Sequence, residues 1–314
     1  MADDAAPGTS RLPADGIAWR PSEEYLRRSR LRAFMDRHDV ATLDALLQRS
    51  TDDLDWFWRA VSDDLGLEWY RPFDRVVDTS RGIAWPTWWV GGQFNYVHNA
   101  LDKHVTTHRR DKPALIFEGE DGQQRTVTYL ELWQETNRLA NALRQLGVGK
   151  GDRVGIFMPM VPEVCIASLA CSKVGAIFTP IFSGYAAPAI AARLNDCEAK
   201  VLLTADGFYR RGRVVPMKQT ADEAVAHAPT VEHVIVYQRI GGDAPWTAGR
   251  DHWWHDLLAD ASAECETERT DPEDPYMLIY TSGTTGRPKG AVHVHGGFPI
   301  KAAQDMAHCF DVSE

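Results

Sequence analysis

The sequence predicts an α/β fold: a largely parallel sheet covered by helices on both faces, preceded by an aromatic-rich N-terminal wrap. Three observations carry this reading. From residue 114 onward, short apolar runs alternate with amphipathic stretches, as strands buried on both faces do. Seven tryptophans (Trp19, Trp56, Trp58, Trp69, Trp85, Trp88 and Trp89) crowd the segment before that point. The chain has 314 residues, 44% hydrophobic and 25% charged, enough for a large core.

Taken in order, residues 1–16 are small, acidic and Pro/Gly-containing, and are expected to form a disordered tail. They have no apolar core behind a basic head and so do not read as a signal peptide. Residues 17–105 read as an irregular segment pinned by large buried rings. A carbohydrate-binding stripe is the functional alternative, but these rings follow no regular spacing. "ALIF" (114–117) and "RTVTY" (125–129) then read as short strands, followed by a helix over 130–147. Leu132, Leu139, Leu143, Leu146 and Ala140 lie on one stripe of that helix, and Gly147 stops it. The alternation continues through strands 153–158, 176–181, 200–204, 233–237 and 276–280. Helices are expected at 162–172, 187–197, around 216–227 and near 252–259, with a surface loop at 239–249. No repeat and no clear linker is visible, so one α/β body is expected.

Composition excludes several classes. The net charge is −10 and no concentrated basic face is visible, against a nucleic-acid partner. Five cysteines, an odd count with no CxxC pair, argue against a disulfide framework or a metal cluster and fit a reducing compartment, so the expected location is cytoplasmic. The most apolar stretch, 155–182, is broken by Pro159, Pro162, Glu163 and Lys173, against a membrane span. No GxGxxG occurs; the nearest run, "GVGKGD" (147–152), follows a helix, where a dinucleotide fingerprint follows a strand.

The informative stretch is "YTSGTTGRPKG" (280–290), set between the apolar runs "YMLIY" and "AVHVH". Gly283, Gly286 and Gly290 let backbone amides approach an anion closely. Thr281, Ser282, Thr284 and Thr285 add hydroxyl donors, and Lys289 adds a mobile charge behind Pro288. So many donors suit a polyphosphate. The spacing is not that of a Walker A loop, which needs four residues between its glycines and Ser/Thr after the lysine. A polar hairpin turn is the bland alternative, yet a turn needs neither this length nor this lysine.

"YTSGTTGRPKGAVH" resembles the phosphate-binding signature of the adenylate-forming superfamily. "WWVGGQFNYVHNALDKHV" (88–105) and "FSGYAAPAIAARLNDCEAKVLLTADGFYRRGRVVPMK" (182–218) are similar to segments of acetyl-CoA synthetase-like members. The resemblance runs from about Trp19 to the last residue. It implies the N-terminal part of an AMP-forming acyl-CoA synthetase, with residues 106–314 an incomplete AMP-binding domain of the large N-terminal domain of that fold. The implied reaction activates a short-chain carboxylic acid with ATP to an acyl-adenylate, then passes the acyl group to coenzyme A.

By this match Thr281, Ser282, Gly283, Thr284, Thr285 and Gly286 cradle phosphates, and Lys289 follows the leaving pyrophosphate. Phe182, Ser183 and Gly184 form an aromatic–glycine turn beside the nucleotide end of coenzyme A, with Arg210 and Arg213 contacting that end. The family commonly has glycine where this chain has Ser183. Read without the resemblance, the knot Arg210, Arg211 and Arg213 is a solvated loop.

Family members continue for several hundred residues past the signature, and there the Mg2+ ligand, adenine pocket and lid are expected. No metal ligand is assigned on this chain. Little or no turnover by the chain alone, and an exposed apolar surface near its end, are the expectations. A separate polypeptide carrying the rest is one way to complete it. Two other readings stay open: a non-catalytic nucleotide- or coenzyme-A-binding module, and a phosphotransferase with an unusual phosphate loop.

Weaker signals read as structural. His293 and His295 share a strand face, and His252 and His255 fit a helix face at i, i+3, but neither pair has further ligands. Cys165 and Cys171 sit on an apolar helix and are expected to be buried.

Overall fold

A computed structural model describes residues 19–281 and 288–313. The tail expected at residues 1–16 lies outside the described residues, as do Ser282, Gly283, Thr284, Thr285 and Gly286. Two compact units form where the sequence shows no linker: one comprises residues 19–65 and 302–313, the other Gly66–Lys301.

The smaller unit has its own core, which is why it separates. Residues expected to be irregular are helical here: Glu23–Arg28, Arg30–Arg37, Leu43–Asp52 and Leu54–Asp64. Ser22, Ser29, Thr42 and Asp53 cap these helices by accepting first-turn amides. Phe34, Met35, Leu46 and Val61 are buried together. Trp19 is largely exposed, so dense tryptophan does not mean uniform burial.

The larger unit contains thirteen strands among its described residues. They are β1 Arg75–Asp78, β2 Thr87–Val90, β3 Pro113–Glu118, β4 Gln124–Thr128, β5 Arg153–Ile156, β6 Ile177–Pro180 and β7 Val201–Ala205. There follow β8 Gly207–Arg210, β9 Arg213–Pro216, β10 His233–Tyr237, β11 Asp251–Trp253, β12 Pro275–Thr281 and β13 Lys289–Val294. The main sheet has the order β11-β10-β7-β5-β6-β12-β13. Its strands are parallel except for the antiparallel edge strand β13. Three antiparallel hairpins (β1–β2, β3–β4 and β8–β9) stand apart from it.

Side-chain alternation along the strands builds two cores. Val201, Leu203, Val154 and Ile156 face one layer, which includes the helices Tyr129–Gln145 and Pro162–Lys173. Leu202, Val234 and Val236 face the other, which includes Ala187–Asp196 and Met217–Val225. Each such fully buried aliphatic side chain contributes about 1.5–3 kcal/mol. A capping box between Thr128 and Glu131 starts the helix at Tyr129, one residue before the start expected from the sequence, and it ends at Gln145. Gly155 allows the second layer to pack closely, since a Cβ there would lie 2.6 Å from Leu194 Cδ2.

Tryptophans divide here too. Trp89 is buried and donates its indole N–H to the Gly296 carbonyl at 2.7 Å, whereas Trp85 is exposed. No described helix is long and apolar enough to cross a membrane.

Candidate functional site

Strand order decides where a site can form. Of the main-sheet strands β5 comes first in the chain, but it lies between β6 and β7 in the sheet. The connection leaving β5 packs as helix Pro162–Lys173 on one face; the helix Met217–Val225 that follows β7 packs on the other. The carboxyl ends of β5 and β7 therefore splay apart, which is where open parallel sheets bind ligands.

A cleft of about 370 Å³ lies there. Its walls follow the carboxyl ends of four parallel strands: Pro159, Met160 and Val161 after β5, Phe182 and Ser183 after β6, Phe208, Tyr209 and Arg210 after β7, and Arg239 after β10. The β3–β4 turn closes one side with Glu118, Gly119 and Glu120. The sequence-predicted Phe182, Ser183 and Arg210 are thus brought together from two segments. Gly184 does not line the cleft; it lies against the Phe182 ring, where a Cβ would approach Cε1 to 2.6 Å. Arg213 pairs with Arg210 across the β8–β9 hairpin and is exposed.

The arginine knot is therefore a hairpin rather than a loop. Its two-residue turn is Arg211–Gly212, both with positive φ (52° and 71°), as the tight turn matching strand twist requires. Glu120 Oε1 accepts the Gly212 N–H at 2.6 Å, so the turn is latched to the β3–β4 turn. Asp206 fixes the base of the same wall. Its buried carboxylate accepts backbone N–H groups from Gly207, Arg239, Ile240 and Gly241 at 2.7–3.1 Å.

The phosphate-loop candidate sits on the same sheet edge. β12 runs parallel to β6, so Thr281 lies at the carboxyl end of the strands, two strands or about 10 Å from β5. Thr281 pairs with Lys289 across the β12–β13 ladder, and both are exposed. The segment bearing Ser282, Gly283, Thr284, Thr285 and Gly286 joins these two anchored ends. Arg193 links loop and cleft: its buried guanidinium lies 4.3 Å from the Tyr185 ring, beyond the Phe182 turn, and 5.8 Å from the Tyr280 ring, before the loop.

Other candidates resolve as structure. His295 is buried between Tyr96 and Tyr276, and burial pushes its imidazole down to about 3. His252 lies in β11 rather than on a helix face with His255, and its Nε2 is 3.1 Å from His233 Nδ1. Among the described residues no group of three or more His, Cys, Asp or Glu is placed to hold a metal ion. Cys171 is fully buried, but Cys165 is exposed, against expectation, because its side of the helix Pro162–Lys173 is not covered. Burial raises the pKa of the Cys171 thiol, and partial desolvation with the nearby Glu163 carboxylate raises that of Cys165, the opposite of nucleophile activation.

Tyr209, Met160 and Arg239 were not picked out from sequence. Met160 and Arg239 each follow the carboxyl end of an expected parallel strand, which was the available signal.

Residues 101–314 match the family model described as AMP-binding enzyme, and residues 43–100 match that of the acetyl-coenzyme A synthetase N-terminus. The acetyl-coenzyme A synthetase of Methanothrix thermoacetophila is 48% identical over 259 residues, covering 82% of this chain and 39% of that protein. That of Methanothrix soehngenii is 39% identical over 298 residues, covering 94% and 44% respectively. The solved structure of acetoacetyl-CoA synthetase from Streptomyces lividans superposes with a TM-score of 0.85 at 31% identity, covering 93% of this chain and 45% of that one. The chain thus spans about two-fifths of the length of the curated relatives it matches.

Proposed function

The chain belongs to the AMP-binding enzyme family, and from that premise we propose that it is the N-terminal, nucleotide- and CoA-handling part of an AMP-forming acyl-CoA synthetase. The protein it serves activates a short carboxylic acid, in the range of acetate to propionate. The acid's carboxylate attacks the α-phosphate of ATP, giving acyl-adenylate and pyrophosphate. The thiol of coenzyme A then attacks the acyl carbon, and AMP leaves with the bonding electrons.

One observation carries the reading: the anchored ends of the signature loop and the Phe182–Arg210 cleft share the carboxyl edge of one parallel sheet. Charge builds on the transferring and departing phosphates in the first step, and positioned donors lower that barrier. Thr281, Ser282, Gly283, Thr284, Thr285 and Gly286 supply those donors, and Lys289 follows the pyrophosphate. Phe182, Ser183, Gly184, Arg210 and Arg213 receive the nucleotide end of coenzyme A. In the cleft, aromatic faces suit a purine and guanidinium forks suit phosphate.

Magnesium would neutralise phosphate charge in such a reaction. Among the described residues no group of three or more His, Cys, Asp or Glu is placed to hold a metal ion, and no step is assigned to magnesium on this chain. The chain spans about two-fifths of the length of its curated relatives, and on this reading it turns over little or nothing alone. The reading places it in the cytoplasm.

The test is acid-dependent exchange of labelled pyrophosphate into ATP, by a protein of the relatives' full length, across a panel of acids. Exchange with short acids supports the reading. Nucleotide binding without exchange would instead mark a non-catalytic binding module.

A further inference from the structure

We propose that Arg239 is a phosphate-binding residue of the cleft, gripping one phosphate of the nucleotide ligand together with Arg210. The inference rests on the cleft being the coenzyme A nucleotide site proposed above, and adds a residue that the arginine knot does not contain.

The Arg239 side chain is only 9% exposed, yet it lines the cleft. A guanidinium carries five N–H donors. Among the described residues this one makes a single hydrogen bond, from Nη2 to Asp121 Oδ1 at 2.7 Å. A largely covered cation whose remaining donors lack partners is costly unless water or a ligand meets them. The cleft is the space those donors have.

The placement is also rigid. The Arg239 backbone N–H is tied to Asp206 Oδ1 at 2.7 Å, and the guanidinium lies 5.1 Å from the Tyr209 ring. Gly119 leaves the room it occupies, because a Cβ there would come within 2.9 Å of Nη2. Arg239 and Arg210 thus reach one cleft from different strands, with Tyr209 belonging to the same wall as Arg210. Two planar forks around an aromatic face suit a phosphorylated purine better than a simple anion.

Asp121 both orients Arg239 and competes for it. A phosphate entering the cleft meets a guanidinium partly neutralised by that carboxylate, so removing the carboxylate should strengthen binding. A purely structural Arg239–Asp121 pair would behave differently, with loss of either partner doing the same harm.

The test is calorimetric titration of the 314-residue chain with adenosine 3′,5′-bisphosphate and, separately, adenosine. Arg239→Gln should weaken the bisphosphate about tenfold or more and leave adenosine within about twofold. Asp121→Asn should tighten the bisphosphate by about two- to fivefold. Arg210→Ala reports on the parent reading. If the unsubstituted chain binds and Arg210→Ala weakens it, but Arg239→Gln has no effect, the inference fails and the cleft assignment stands. If the unsubstituted chain does not bind the bisphosphate, both fail. Should Arg239→Gln not fold, Asp121→Asn decides: unchanged or weaker binding overturns the proposal.

Discussion

Tyr280 donates its hydroxyl proton to Asp196 Oδ2 at 2.6 Å, tying the strand that enters the signature loop to the end of the helix Ala187–Asp196. Tyr280→Phe should cost about 1 kcal/mol of stability, read as a lower denaturant midpoint. Desolvation, then the bond to Asp196, raises the phenol's pKa. A raised acid holds its proton more tightly in the fold. Its contribution is therefore complete below the unfolded value near pH 10 and is lost as pH climbs above it. The substitution should flatten the alkaline fall in stability; an unchanged slope would remove this role.

Loop and cleft should separate kinetically in the full-length protein. Lys289→Ala should slow acid-dependent pyrophosphate–ATP exchange on the order of a hundredfold, by analogy with a lost oxyanion donor. Arg210→Ala should leave exchange within about twofold while raising the KM for coenzyme A about tenfold. Equal losses in both assays from both variants would contradict the assignment.

Lys173 is fully buried, with its ammonium 2.5 Å from Asp102 Oδ1, and Thr267 donates to the other oxygen of that carboxylate. Removing the carboxylate strands an ammonium that is only 1% exposed, at a cost of about 3–5 kcal/mol, whereas losing the lysine leaves a carboxylate that is 16% exposed and still accepts from Thr267, which costs less. Asp102→Ala should therefore lower the melting temperature well beyond Lys173→Met. The reverse order would show that the pair does not behave as a buried ion pair.

Acid should destabilise the larger unit through His295. Burial holds its imidazole neutral, down to about 3 in the fold against about 6.5 unfolded. Between those values the unfolded chain binds the extra proton. The stability this residue contributes is full above about pH 6.5 and drains away as pH falls toward 3. Urea midpoints at pH 7 and pH 4.5 should differ less in His295→Phe, which keeps a ring between Tyr96 and Tyr276 but cannot titrate. An unaltered difference would place the acid sensitivity elsewhere.

How much of this was legible depends on whether a feature is local. The apolar strands and the stripe on Tyr129–Gln145 repeat at their own periods, and the signature loop is a spacing of glycines, hydroxyls and one lysine, so all were readable from neighbours in the chain. The β8–β9 hairpin was not, because its turn holds Arg211 at positive φ, a conformation that residue type does not announce. Trp19, Trp85 and Cys165 looked like core and are exposed, since burial depends on what covers a surface and not on how apolar the residue is.

By itself the sequence determined an α/β body with parallel strands, because that follows from short-range pattern and backbone chemistry, and it marked the glycine- and hydroxyl-rich run after an apolar strand as a candidate polyphosphate loop. Only the tertiary structure placed β5 between β6 and β7 and so opened a cleft at their carboxyl ends. Strand order is set by which helices cover which face, a long-range packing choice. That choice brings Arg239, remote in sequence from both motifs, to the same wall-lined space as Phe182 and Arg210.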